Sequence, residues 1–418
     1  MNWDKRNITS LLLILLVLLV VPFLLERTPV PAVYEGKTPS SADSLDLVTA
    51  HSHEGKPSAG LLHSSNEAWP GLTLYPTSGS AEVLLVNMAG KEVHKWNVDA
   101  DRARLLPNGN LLVIHGSKWG IRNKPWSKMR NILHEYNWNG EVVWEHHLPN
   151  AAHHDIQRLP NGNTLVLYLV EVPEEDKEKI SNPELRSVPI RSDVIVEITP
   201  KGEEVWKWEA HKHLDLESCG ARDCTRLTNK QIEGKKQYDW THINTISVLP
   251  ENKWYDGGDE RFRPGNILIF PRNWWTALLI DKDSKEVVWQ YSGKYKGGLV
   301  GGHEPYMIPK GLPGAGNILI FDNGRIKHES HILEVEPPTN KLAWVYDSGQ
   351  SFYTRIAGSA QRFPNGNTLI SEDETGRVFE VTKNGELVWS YQGRKMRVNR
   401  AHRYAPDYCP QFSSLSRS

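Results

Sequence analysis

Short apolar runs rich in β-branched residues recur along the chain, each bounded by a polar turn. Three of them read RLLPNGNLLV (104–113), RLPNGNTLVL (158–167) and RFPNGNTLI (362–370). Two looser copies, RPGNILIF (263–270) and PGAGNILIF (313–321), keep Gly-Asn followed by the apolar run. Asn-Gly accepts positive φ at low cost, as a tight hairpin between antiparallel strands requires. A second hairpin follows each copy, and its closing strand carries tryptophan. These hairpins run from Leu133 to Trp144, Val194 to Trp206, Leu278 to Trp289, Ile332 to Trp344 and Val378 to Trp389, with a divergent copy from Val83 to Trp96. Alternation, β-branched residues and central turns predict strands throughout. The period is that of six four-stranded units.

A four-stranded sheet alone cannot bury both faces, whereas such units arranged around an axis cover one another and hide their edges. The sequence therefore predicts an all-β, six-bladed β-propeller over residues 71–391, with the recurring Trp packed between neighbouring blades. Lys5 and Arg6 precede an apolar run reaching Leu25. Its length is near the lower limit for crossing a bilayer, and no convincing cleavage site follows. The expectation is a short cytoplasmic tail (1–7), an uncleaved signal-anchor helix (8–25), a Pro/Ser/Gly/His-rich tether (26–70), and a propeller held at the membrane on the periplasmic or extracytoplasmic side. Residues 392–418 are expected to form a C-terminal tail. In that compartment the close pair Cys219 and Cys224 is expected to form a disulfide.

Lys+Arg 49 against Asp+Glu 50 leaves a net charge of -1, with no basic block, which excludes a nucleic-acid partner. The chemistry lies elsewhere. In a propeller the first strand of each blade lines the central channel, and three consecutive blades start with histidine, with His154, His242 and His303 expected in matching places of the repeat: His153-His154-Asp155, His242 and His303. The second strand returns to the same face, which places Arg272, in ILIFPRNWW (267–275), beside them. Arg offers a fixed fork of donors to a tetrahedral oxyanion, imidazoles stabilise charge on transferred oxygens, and a neutral imidazole is a nucleophile. The set suits transfer of a sulfuryl or phosphoryl group. Trp274, Trp275, Tyr306 and Tyr353 are expected to hold an aromatic substrate, with Arg355 at its edge. Of the doublet His153 and His154 only one faces inward, because strand neighbours alternate. Asp155 is placed to orient an imidazole.

The segments HHDIQRLPNGN, DWTHINTISVLP, FPRNWWTALLIDKDSKEVVWQYSG and GGHEPYMIPKGLPGAGNILIFDNG resemble those of the arylsulfotransferase (arylsulfate sulfotransferase, ASST-like) family over about residues 70 to 391. The resemblance implies an enzyme that needs no cofactor and no nucleotide sulfate donor. It implies ping-pong transfer from a phenolic sulfate ester to a phenolic acceptor through a sulfated His303, with His242, Arg272 and one of His153 or His154 holding the sulfuryl group. Here Glu-Pro-Tyr follows His303, a departure from the small or polar residues expected there. Two rival readings remain at this level: a divalent metal on the three histidines serving a hydrolase or lyase, and a non-catalytic, membrane-tethered binding propeller.

Overall fold

The computed structural model describes residues 59–415, apart from 119, 121–122, 223–236 and 394–396. The expected cytoplasmic tail, anchor helix and most of the tether lie outside the described residues. Among the described residues no helix is long and apolar enough to cross a membrane.

The remainder is a six-bladed propeller. Blade 2 comprises Arg102–Leu105, Leu111–Ile114, Ile132–Tyr136 and Val142–His147, and blade 3 Ala152–Arg158, Thr164–Glu171, Ile190–Ile198 and Glu204–Glu209. Blade 4 comprises Ile243–Val248, Ile267–Pro271, Ala277–Ile280 and Val287–Tyr291, and blade 5 His303–Met307, Ile318–Asp322, His331–Glu336 and Lys341–Tyr346. In both, as in blades 2 and 3, the first strand is innermost. Second and third strands are almost wholly buried, as expected where each blade is covered on both faces.

The ring is longer at both ends than the repeats predict. Blade 1 is built from Leu72–Thr77, Glu82–Val86 and Glu92–Trp96, and its innermost strand is supplied by His402–Tyr404, which pairs antiparallel with Leu72–Leu74. Blade 6 comprises Ser359–Arg362, Thr368–Glu372, Arg377–Val381 and Leu387–Gln392, and Gly60–Ser64 adds a fifth strand outside it. Parts of the expected tether and tail thus belong to the sheets, because unpaired edges at the seam would otherwise leave backbone donors and acceptors without partners.

The recurring tryptophans have a second role beyond packing. Each indole N–H donates to a carbonyl in the outer turn of the next blade: Trp96 to Asn137 (3.0 Å), Trp144 to Pro200 (2.9 Å), Trp206 to Lys282 (2.8 Å), Trp289 to Pro337 (2.9 Å) and Trp344 to Lys383 (2.6 Å). The sixth, Trp389, donates to Met88 (2.9 Å) and crosses the seam. Above it, the buried guanidinium of Arg403 lies 4.3 Å from the Trp389 ring and 2.5 Å from Glu380 Oε2. The closing strand is therefore held by a desolvated ion pair as well as by its ladder.

Replacing Arg403 by Ala strands the buried Glu380 carboxylate and is expected to cost about 3–5 kcal/mol of stability. The double substitution Arg403→Ala, Glu380→Gln removes the unpaired charge and should recover part of the loss. Urea unfolding of the three proteins measures both effects.

Candidate active site

The inner strands begin irregularly, and this irregularity aims the functional side chains. In blade 5 His303 pairs with Phe321 but Tyr306 with Leu319, so one extra residue is accommodated, with Glu304 at φ 46. Blade 4 has the same excess between Ile243 and Ile246, just after His242 at φ 52. Blade 3 has a larger one between Ala152 and Ile156, with His154 at φ 60. Bulges of this kind re-aim side chains at strand ends. Gly301 and Gly302 open the way to His303: a Cβ on Gly302 would lie 2.7 Å from the Phe270 ring, and Gly301 has φ +78 beneath Arg325.

Register corrects one expectation. Leu159, Leu249 and Ile308 make equivalent ladder bonds to Asn163, Asn266 and Asn317. Counting back from them makes His154, Asn244 and His303 equivalent, and His242 stands two residues earlier. The three histidines reach one neighbourhood without occupying matching positions. Asn244, fully buried, donates to the Gly302 carbonyl at 2.9 Å.

His303 has a defined tautomer. Its Nδ1 lies 2.5 Å from Asn323 Oδ1, and Asn323 Nδ2 donates to the carbonyls of Thr354 and Ala357, both at 2.8 Å. The amide nitrogen is thereby used, so Oδ1 accepts and His303 Nδ1–H donates. Nε2 keeps its lone pair. Burial, reinforced by Arg400 and Arg325, holds the His303 pKa well below 6.5, against the opposing hydrogen bond from Asn323. His303 is a neutral imidazole with one bare nitrogen, the form a nucleophile needs.

A small cavity of about 60 Å³ brings His303 together with His154, Arg272, Lys118, Asp101 and Arg400. His242 stands behind His154, with Nε2 atoms 3.3 Å apart, and its Nδ1 donates to Asp239 at 2.6 Å. Against the burial that would raise it, His242 and Arg191 keep Asp239 far below the usual carboxylate range. Burial and Arg272 lower His242 to about 4. His154, not His153, lines the cavity; His153 lies behind it, with Nδ1 2.8 Å from His154 Nδ1.

Cations are in excess here. Burial and then Arg325 push Arg272 down to about 10; burial and Arg355, followed by Arg272, depress Lys118. Arg325 is likewise depressed by burial and Arg355, and its Nη2 is buried without a hydrogen-bond partner. Positive groups that depress one another mark a place suited to an anion. Arg400 enters from the closing segment and donates to the carbonyls of His154 (3.2 Å) and Asn244 (2.6 Å). It also pairs with Glu304 at 3.4 Å. Glu304 meets Arg102, which lies 3.2 Å from Asp155, so the carboxylate beside His303 turns into an ionic layer across the channel. A larger cavity of about 380 Å³ occupies the other mouth.

Asn323, Arg325, Lys118, Asn244 and Arg400 escape the sequence reading. The rule that located Arg272, namely the residues just after each blade's second strand, also points to Lys118 after Leu111–Ile114 and to Asn323 and Arg325 after Ile318–Asp322. Arg400 has no such signal, since its placement depends on how the ring closes.

The structure corrects the roles expected of Trp274, Tyr306 and Asp155 and places the other assigned residues. Trp274 is buried against Trp240, ring centroids 5.5 Å apart, in the interior. Tyr306 lines the opposite cavity and accepts the Arg362 N–H at 2.7 Å. Asp155 binds Arg102 and Arg104 rather than an imidazole, because the bulge turns it inward. Trp275 is half-buried with Arg222 4.6 Å above its ring, Tyr353 stacks on His328, and exposed Arg355 pairs with Glu374. Cys219 is buried, while Cys224 lies outside the described residues. The only three-residue group of potential metal-ligand atoms among the described residues is Glu329, His331 and Asp347, into which Lys296 projects at 2.6 Å from Glu329 and 2.7 Å from Asp347. The ligand atoms of His154, His242 and His303 form no such group.

The sequence model of the arylsulfotransferase (ASST) family matches residues 129–394. No curated protein matches the chain. Similar solved structures include a protein of unknown function from Bacteroides caccae (13% identity, 80% of this chain and 99% of that one, TM-score 0.47). A periplasmic gluconolactonase of Pseudomonas aeruginosa is 10% identical over 81% of this chain and 99% of that one, with a TM-score of 0.47. A virginiamycin B lyase of Staphylococcus aureus is 10% identical over 79% and 87%, with a TM-score of 0.41.

The buried neutral histidines make folding sensitive to acid. His303 and His154 lie well below 6.5 in the fold, and His242 and His115 near 4, in each case chiefly through burial. The unfolded chain, with ordinary histidine pKa near 6.5, then binds protons first. Stability is full above that pH and falls on acidification, each group adding about 1.4 kcal/mol per pH unit between roughly pH 6.5 and its folded value. Urea midpoints at pH 7.5 and 5.0 should show a marked drop at the lower pH.

Proposed function

The chain belongs to the arylsulfotransferase family, and we propose that it moves a sulfuryl group from a phenolic sulfate ester to a phenolic acceptor by ping-pong through a sulfated His303, with no nucleotide sulfate donor. The observation that carries the reading is the tautomer of His303: Nδ1–H is committed to Asn323, which leaves Nε2 bare on a residue that lines a cavity with Arg272, Lys118 and Arg400.

In the first half-reaction the lone pair of Nε2 attacks sulfur as the bond from sulfur to the aryl oxygen breaks. Asn323 accepts from the ring throughout and stabilises the charge that nitrogen loses. Arg272 and Lys118 face the sulfuryl oxygens, where negative charge is concentrated, with His154 completing the enclosure and His242 supporting it from behind. In the second half-reaction an acceptor oxygen attacks sulfur and the bond to Nε2 breaks. The half-buried Trp275 and Tyr353 are the aromatic surfaces suited to the ring of donor or acceptor. An N-terminal anchor with the propeller outside the cytoplasm fits this reading, since it needs no cytoplasmic nucleotide.

Incubation with 4-nitrophenyl sulfate in the absence of acceptor should leave sulfate on His303, read by mass spectrometry, with a burst of one 4-nitrophenol per chain. His303→Ala should abolish label and burst. Arg272→Ala should lower kcat/KM about 100- to 1,000-fold, as removal of a preorganised oxyanion donor does. Retention of label in His303→Ala would overturn the assignment.

A further inference from the structure

Three imidazoles stand in a row between two carboxylates. His242 Nδ1 lies 2.6 Å from Asp239 Oδ2, His242 Nε2 3.3 Å from His154 Nε2, His154 Nδ1 2.8 Å from His153 Nδ1, and His153 Nε2 3.1 Å from Asp193 Oδ1. The far oxygen of Asp193 accepts the Ile243 N–H at 2.8 Å and the Thr241 hydroxyl.

Each of these four contacts joins two atoms that are acceptors when bare, so each is relieved by one proton; the first three have hydrogen-bond geometry, and the fourth is an ion-pair contact without it. Three neutral imidazoles bring three. Counting from the Asp239 end, His242 Nδ1–H donates to Asp239, His154 Nε2–H to His242, and His153 Nδ1–H to His154. Nothing is then left for the fourth link. A buried ring nitrogen would face a buried carboxylate oxygen, and neither His153 Nε2 nor Asp193 Oδ1 has a hydrogen-bond partner. Opposed lone pairs in a site closed to water are costly, and one further proton turns the contact into a buried pair of opposite charges 3.1 Å apart.

We infer that this row holds one excess proton, resting between His153 and Asp193, and that it serves as the proton store of the transfer reaction; the second clause rests on the aryl sulfotransferase reading. His154 lines the cavity beside His303, and its link to His242 is the longest of the four. As the ester bond breaks, His154 Nε2–H passes its proton to the departing aryl oxygen, and His153 Nδ1–H moves to His154 Nδ1. The vacancy then lies between His154 and His242, where the phenol hydroxyl donates. In the second half-reaction the acceptor phenol returns its proton to the same place as its oxygen attacks sulfur. No proton is gained or lost over the cycle.

The surrounding charges suit a single mobile proton. Asp101 accepts the His154 N–H at 2.7 Å, Arg400 donates to the His154 carbonyl, and Arg191 and Arg272 lie 2.7 and 3.7 Å from Asp239. Two carboxylates at the ends favour one positive ring, and these guanidiniums oppose a second. Burial, then His242 and His153, lower His154, in keeping with mutual exclusion. His153 and Asp193 act through His154 and are positioning residues.

The test uses the full chain in two ways. In Asp193→Asn the charge that holds the excess proton is gone, so transfer from phenyl sulfate, whose leaving group needs protonation, should fall about 100-fold or more. Transfer from 4-nitrophenyl sulfate, whose phenolate leaves readily, should fall less than about tenfold. His153→Gln should show the same split and guards against a folding defect in the first variant. Independently, ¹⁵N spectra of histidine-labelled wild type at neutral pH should contain one ring protonated at both nitrogens that disappears in His153→Gln. Equal losses with both donors, or the absence of that ring, would overturn the store. If wild type turns over neither donor, the sulfotransferase reading fails while the ring spectrum still decides the proton count.

Discussion

The antiparallel pairing of His402–Tyr404 with Leu72–Leu74 closes the ring, and the other features depend on it. Without that strand blade 1 would lack its innermost member, leaving inner strands splayed and the channel wide. Closure fixes the rotation between blades, and the ring of indole-to-carbonyl bonds, ending with Trp389 on Met88, holds that rotation at the perimeter. The same segment brings Arg400 into the channel, where it bridges the backbones of His154 and Asn244 from adjacent blades. The strand that completes the fold therefore also supplies a cation of the candidate site.

Charge inside the channel is arranged in two layers. The deeper one pairs Arg102 and Arg104 with Asp155 and Glu304, closing the passage between the two mouths. The upper one is not balanced. Arg272, Arg325 and Lys118 crowd around neutral imidazoles, and each is shifted downward by its neighbours as well as by burial. Such crowding opposes folding of the empty protein and is relieved when an anion enters, so the same repulsion becomes affinity for one.

Much of the architecture is legible in the sequence because the repeat is local. Asn-Gly turns and closing Trp residues each report on a single hairpin, and six of them specify the blade number. The anchor and most of the tether lie outside the described residues. What the sequence does not carry is register. His242 and His303 both open an inner strand with a one-residue excess, yet counting back from the equivalent ladder bonds of Leu249 and Ile308 puts Asn244, not His242, in the place of His303. Tyr306 fails for a related reason, since it follows the bulge of its strand and meets the other mouth, whereas Trp274 is turned into the core by the short helical turn Arg272–Trp274. Asn323 and Arg325 were within reach of the rule that located Arg272. Arg400 was not, since only closure brings residues 400 and 154 together.

Glu304 shows how a residue that looks unsuited beside a nucleophile is accommodated. A carboxylate pointing into the cavity would repel an anionic donor and raise the basicity of His303. At φ 46 it occupies the bulge, so its side chain leaves the strand in the direction opposite to the imidazole and meets Arg102 and Arg400. The bulge thus separates two neighbouring groups into different electrostatic layers, one holding His303 neutral among cations, the other neutralising the carboxylate. Substituting a small residue at 304 would leave Arg102 and Arg400 short of a counter-charge in the channel, so the acidic residue follows from the presence of those arginines. Strand register, closure and charge pairing are in this sense a single constraint, met once at the mouth where His303 and Arg400 face the same cavity.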